Sequence, residues 1–198
     1  MAVIRRAFVT ALLIGLAACS NLPPQNKQPL PDWQLHQQQL QTLQQWHLNG
    51  KLAFRSPAES GSASLRWQQQ QQQYQMRLSG IFGIGTTYIE GNDQQVTLRQ
   101  GDEQLVAANS QQLTGDLLGV PLSVEDLTYW ARGIPTPSGT ITAQSHDPQG
   151  LLSQLEQDGW QLAFSRYRQS GQWLLPGKID GQKGELSFKL VIKRWEFE

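Results

Sequence analysis

From His47 onward the chain alternates apolar and polar residues with a period of two, and does so repeatedly. Leu48, Gly50, Leu52 and Phe54 alternate with Asn49, Lys51, Ala53 and Arg55. Ala63, Leu65 and Trp67 alternate with Ser64 and Arg66, and Tyr74, Met76 and Leu78 with Gln75 and Arg77. Successive side chains of a strand point to opposite faces, so this pattern predicts strands buried on one side. Further strands are predicted over 86–90, 95–99, 104–107, 160–165, 173–175 and 185–197. Gly91-Asn92-Asp93 and Gly101-Asp102 supply turns between the earlier ones. So many one-sided strands imply an antiparallel meander with one face on an apolar core. A sheet of that kind can curve into a barrel whose mouth helices plug or cover. Leu52, Phe54, Leu65, Trp67 and Met76 point inward in this scheme. They would line an apolar cavity or, in the plainer alternative, form a filled core.

Three helices are predicted beside the strands. Asp32 can cap the first, which carries Trp33, His36, Leu40, Leu43 and Trp46 at spacings of three or four. Asn109 can cap a second with Leu113, Leu117 and Leu118, closed by Gly119 and Pro121. Ser123-Val124-Glu125-Asp126 resembles a capping box and leads into Leu127, Trp130 and Ala131. Residues 134–150 are rich in Pro, Gly, Ser and Thr and read mostly as loop. The glutamine runs, Gln37–Gln39 and Gln68–Gln73, read as solvated turn and helix surface.

The N-terminus carries an address. Arg5 and Arg6 precede a short apolar run and then Leu16-Ala17-Ala18-Cys19, the layout of a secretory signal peptide. The run is shorter than the roughly 20 residues a membrane span needs. The Leu-Ala-Ala-Cys ending resembles the lipobox of bacterial lipoproteins, in which the cysteine is acylated and becomes the new N-terminus. Cys19 is the only cysteine of the chain. The plainer alternative is an ordinary signal peptide with an incidental cysteine. The expected organisation is a signal peptide over 1–18, a proline-rich, lipid-anchored linker over 19–31, and a folded domain over 32–198. Loss of residues 1–18 removes Arg5 and Arg6 and leaves a formal charge of −2, which offers no basic patch for nucleic acid.

Motifs for catalysis are missing. His36, His47 and His146 have no His or Cys neighbour at metal-ligand spacing, and no H-E-x-x-H or Gly-x-Ser-x-Gly occurs. Gly171 to Ile179 departs from a phosphate loop in spacing and in its final residue. No enzyme activity, metal or cofactor is expected. One segment does stand out. Leu78-Ser79-Gly80-Ile81-Phe82-Gly83-Ile84-Gly85 joins two strands yet is apolar at its centre, whereas connecting loops are normally polar. Ile81, Phe82 and Ile84 would either fold back onto the core or act as a wedge into a membrane or an apolar partner surface.

Several segments together resemble the LolB family, outer-membrane lipoproteins that receive other lipoproteins from the periplasmic carrier LolA. They are Trp46 to Phe54, Tyr74 to Gly80, Tyr129 to Pro135, Asp158-Gly159-Trp160, Leu175 to Lys178 and Leu190 to Trp195. The resemblance implies an incomplete antiparallel β-barrel with a helical lid over an apolar cavity for acyl chains. It implies a periplasm-facing, outer-membrane location through Cys19, a LolA-like carrier and triacylated lipoproteins as partners, and a monomer. It also implies that the loop at 80–85 carries an exposed apolar residue used in delivery. The family usually has Pro-Leu there and this chain has Ile81-Phe82, so the leucine's role falls to Phe82. A different class of function remains open: a structural lipoprotein that scaffolds outer-membrane assembly without binding acyl chains.

Overall fold

The alternation is realised as a single large sheet. The computed structural model describes residues 32–80 and 85–197. Six strands follow one another as hairpins: β1 (Gln45–Arg55), β2 (Ser60–Gln70), β3 (Gln73–Ser79), β4 (Thr86–Gly91), β5 (Val96–Gln100) and β6 (Glu103–Ala107). The second half supplies β7 (Ile141–His146), β8 (Leu152–Gln157), β9 (Trp160–Ser165), β12 (Lys178–Lys183) and β13 (Leu186–Phe197). The eleven strands are ordered β6-β5-β4-β3-β2-β1-β13-β12-β9-β8-β7, and every neighbouring pair is antiparallel. β6 and β7 stay unpaired on their outer sides, so the sheet is not closed into a barrel among the described residues. A small separate hairpin, β10 (Arg168–Ser170) with β11 (Trp173–Leu175), lies between β9 and β12 in sequence.

Register explains how the long terminal strand keeps its large residues inside. Asn49 pairs with Arg194 and Gly50 with Ile192, so Lys193 is an extra residue in β13. Without that bulge Ile192 and Trp195, an odd number apart, would face opposite sides. With it both are buried. Curvature leaves another mark. Phe54 lies over Gly61 on the neighbouring strand, and Phe188 lies over Gly181. A Cβ on Gly61 would stand 2.8 Å from the Phe54 ring, and one on Gly181 would overlap Phe188. Glycine at these two points lets the sheet bend while a ring covers the bare backbone.

The helices are α1 (Trp33–Gln41), α2 (Ser110–Leu118) and α3 (Val124–Ala131). The three caps expected from sequence are formed. Gln34 N donates to Asp32 Oδ1 at 2.9 Å, Gln112 N to Asn109 Oδ1 at 2.8 Å, and Asp126 N to Ser123 Oγ at 3.0 Å. Leu113, Leu118, Val124, Leu127, Trp130 and Ala131 join the inner face of the sheet in one apolar cluster.

Four local expectations need correction. The first helix ends at Gln41 rather than running to Trp46, because Gln45 and Trp46 pair with β2 and β13 and the sheet overrides helical spacing. The run Gln68–Gln73 is strand, turn and strand, and Gln69 is buried. Residues 141–146, read as loop, form β7; all six are exposed, so no alternation betrays the strand. β8 and β12 were also unread. β12 presents Gly181 where an apolar side chain would be expected, with Phe188 supplying the missing bulk from next door.

Candidate functional site

The candidate site is the inner face of the sheet together with the helices that cover it. Leu52, Phe54, Leu65, Trp67 and Met76 are all buried there. Their pairings place them side by side: Leu52 opposite Leu190 and Ala63, Phe54 opposite Phe188 and Gly61, Leu65 opposite Gly50 and Leu78, Trp67 opposite Leu48 and Met76. One transverse row reads Trp195, Leu48, Trp67, Met76, Ile89, Leu98, Leu105. It is apolar throughout and ends on the edge strand, where Leu105 is 52% exposed. The apolar lining thus reaches the open side of the sheet.

Over this face lie aromatic and polar ties from the helices. Trp130 is fully buried. It stacks on Phe188 at 6.2 Å, meets Trp160 edge-on, and donates from Nε1 to Gln157 Oε1 at 3.1 Å. Gln157 also accepts from Thr136 N and donates to Thr136 O, so this buried amide is satisfied. Glu125, on α3, accepts from Tyr74 Oη at 3.2 Å, from Ser123 Oγ at 3.0 Å and from Ser110 Oγ, which joins α2, α3 and β3. Burial, and then the neighbouring Glu125 charge, hold the Tyr74 phenol well above its ordinary value.

The joint between α3 and α1 is made by one cation. Arg132 caps α3 and is only 4% exposed. Its Nε donates to Thr128 O at 3.0 Å; its Nη1 donates to Leu40 O at 3.1 Å and Leu43 O at 2.8 Å. The guanidinium carbon lies 4.8 Å from the Tyr129 ring centre. Desolvation lowers its pKa to about 10, which leaves it charged at neutral pH. Cations suit the carbonyl end of a helix, which is where Arg132 meets α1.

Two large cavities adjoin these elements. One, about 890 Å³, lies mostly against outward-facing residues of β1, β2, β8, β9, β12 and β13; Phe54 is the only one of the five predicted lining residues on its wall. The other, about 750 Å³, lies between α3 and the start of β1, with Arg132, Tyr129, Trp46, Tyr74 and Gln69 on its wall. Trp46 packs edge-on against Trp67 and Trp195 at 4.9 and 5.0 Å. Its Nε1 has no hydrogen-bond partner among the described residues.

Cys19, Ile81, Phe82 and Ile84 fall outside the described residues. The neck of their loop is described: Gly80 N donates to Gly85 O at 3.3 Å, and both glycines have positive φ, 90° and 47°. Sequence reasoning missed the roles of Arg132, Glu125 and Gln157, and that of Gln69, whose Oε1 accepts from Trp67 Nε1 at 3.0 Å and from Thr128 Oγ1 at 3.3 Å. Arg132 stood inside a segment quoted for the family resemblance, and Gln69 was hidden in a glutamine run.

Among the described residues no helix is long and apolar enough to cross a membrane, and no cluster of His, Cys, Asp and Glu could hold a metal ion. Comparison with known proteins gives consistent relatives. Residues 44–195 match the family model described as outer membrane lipoprotein LolB. The outer-membrane lipoprotein LolB of Cellvibrio japonicus is 42% identical over 92% of this chain and 91% of its own. That of Ectopseudomonas mendocina is 36% identical over 98% and 97%. The crystal structure of a LolA superfamily protein from Nitrosomonas europaea superposes with a TM-score of 0.56 at 7% identity, covering 79% of this chain and 87% of that one, and so shares the fold. A family match over most of the domain and relatives spanning nearly the whole chain lead to one conclusion: this chain belongs to the LolB family of outer-membrane lipoproteins.

Proposed function

We propose that the protein is an outer-membrane receptor that accepts lipoproteins from a LolA-like periplasmic carrier, shelters their acyl chains on its inner face and passes them into the membrane. Residues 1–18 serve as the signal peptide, 19–31 as the linker anchored through an acylated Cys19, and 32–198 as the binding domain. Ser20 rather than Asp follows Cys19, which by lipoprotein sorting rules favours the outer membrane. Three acyl chains at Cys19 exceed the two signals that stable anchoring needs. The protein works as a receptor, without catalysis.

The observation that supports this reading is an apolar inner face on a sheet that is left unclosed and is covered by three short helices. A triacylated cysteine explains the need for such a face. At about 0.8 kcal/mol per CH₂, exposing three chains of roughly 14 methylenes to water costs on the order of 30 kcal/mol. A protein interior must replace the bilayer during transfer. The polar ties at Arg132, Glu125 and Gln157 hold the helices by hydrogen bonds that can be exchanged, whereas a closed barrel or a disulfide would fix them. Ile81, Phe82 and Ile84 form the delivery loop in this account.

One observation favours the scaffold alternative: the helices' own side chains occupy the inner face. A single experiment separates the two. A Cys19→Ala form is mixed with a lipoprotein–carrier complex and the partners are resolved by size. Movement of the lipoprotein onto the protein supports the receptor. A stable complex in which the cargo stays on its carrier supports the scaffold.

A further inference from the structure

The cavity between α3 and the start of β1 has a composition that the burial of hydrocarbon alone does not require. At about 750 Å³ it is in the usual range for a ligand site. Leu43, Trp46 and Tyr74 belong both to its wall and to the apolar cluster, so the cavity borders the inner face. Its remaining wall is polar. Arg132 is a nearly buried cation on this wall, with no carboxylate among its hydrogen-bond partners: its Nε and Nη1 donate to backbone carbonyls and its guanidinium lies beside Tyr129. The fully buried Trp46 indole offers an N–H without an acceptor. Both are donors placed where apolar surface ends.

Charge on the same wall selects among ligands. Glu125 and Asp93 also line the cavity and outnumber its one cation. A phosphate or a free carboxylate entering beside Arg132 meets two carboxylates, whereas a neutral oxygen acceptor meets the donors without that repulsion. Gln41, Gln44, Gln71 and Gln72 add neutral amides to the cavity wall, able to bond a peptide or an ester.

We propose that this cavity seats the neutral head of an acylated cysteine, its glyceryl ester and amide carbonyls, with Arg132 and the Trp46 indole as donors and the chains continuing onto the inner face. The assignment rests on the receptor reading above. It makes the site a reader of the ester-linked head rather than of fatty chains in general.

The test uses the Cys19→Ala chain with ¹⁵N-labelled tryptophan and three probes: a tripalmitoyl-S-glyceryl-cysteinyl peptide, palmitate and inorganic phosphate. The Trp46 indole signal is assigned by its loss in Trp46→Phe. The expected result is that the lipopeptide moves this signal and that palmitate and phosphate do not. Arg132→Lys, which retains charge but loses the planar fork, should weaken lipopeptide binding about tenfold and change palmitate binding less than twofold. Should Arg132→Lys fail to fold, Trp46→Phe serves, with an expected several-fold loss for the lipopeptide alone. Lipopeptide binding that leaves the Trp46 signal and the variant affinities unchanged overturns the head site and leaves the receptor reading standing. A shift on adding phosphate makes it an anion site and overturns the proposal. Absence of lipopeptide binding altogether overturns both.

Discussion

Replacing Arg132 by leucine should loosen the joint between α1 and α3. Three hydrogen bonds from a charged donor to backbone carbonyls vanish, two of them at the C-terminal end of α1. Leu40 O keeps the Leu43 amide as a donor, so two acceptors lose their partner; at about 1–3 kcal/mol each the gross loss is roughly 2–6 kcal/mol. Against it stands the relief of desolvating a cation. The fall in pKa from 12.5 to about 10 corresponds to about 3 kcal/mol at 1.36 kcal/mol per unit. From the middle of that range, the difference predicts a net destabilisation of about 1 kcal/mol. For a domain of this size that lowers Tm by about 2–4 °C. α1 has nine residues, too few for stability on its own, so amide exchange should quicken in α1 before it does in β1. Urea melts and native-state hydrogen exchange measure both effects. An Arg132→Leu variant as stable as the parent, with α1 still protected, would show that the guanidinium bonds do not hold α1 and that the reasoning is wrong.

Three further outcomes are expected. Burial lowers the pKa of His36 below 6.5, so the folded state binds fewer protons than the unfolded chain; stability should be full above pH 6.5 and decline as pH falls below it, and His36→Gln should flatten that decline in melts taken from pH 7.5 to 5. Gly181→Ala should destabilise by about 1–3 kcal/mol through overlap with Phe188, and adding Phe188→Leu should recover part of the loss in chemical denaturation; a neutral Gly181→Ala would remove the steric account of sheet curvature. Phe82→Glu should fold and take cargo from the carrier but deliver it poorly to liposomes, since a charge is costly inside a bilayer, while Phe82→Leu should deliver nearly as well as the parent; unfolding of Phe82→Glu would make the residue core instead of wedge.

Strands with one wet face are legible because burial imposes a period of two: most of β1 and β3 shows it, and β2 shows it over its middle, 63–67, but not in its glutamine end. Edge and bent strands are not. β7 is exposed on both faces, and β12 spends an inward position on glycine, so neither shows the period. The helix caps were legible from Asp32, Asn109 and Ser123, whose side chains have a local partner. Trp46 was misplaced because spacings of three and four suited a helix, while its actual neighbours, Gln69 and Phe197, lie far away in sequence. The same distance hid the polar ties. Arg132 finds its acceptors some 90 positions upstream, and Tyr74 meets Glu125 across 51. The inward set Leu52, Phe54, Leu65, Trp67 and Met76 could be named from alternation alone; the helices' occupation of the same face could not, because helix stripes do not say which sheet they cover.

The central claim is that acyl chains in transit lie on the inner face of the sheet. It is tested most directly by loading the Cys19→Ala protein from its carrier with a lipoprotein whose fatty chains bear a photoactivatable diazirine, irradiating, and mapping the adducts by mass spectrometry. The account predicts adducts on peptides carrying Leu52, Phe54, Leu65, Trp67 and Met76. Adducts confined to outward-facing residues such as Lys51, Arg66 and Gln75, with the inner face unlabelled, would contradict it.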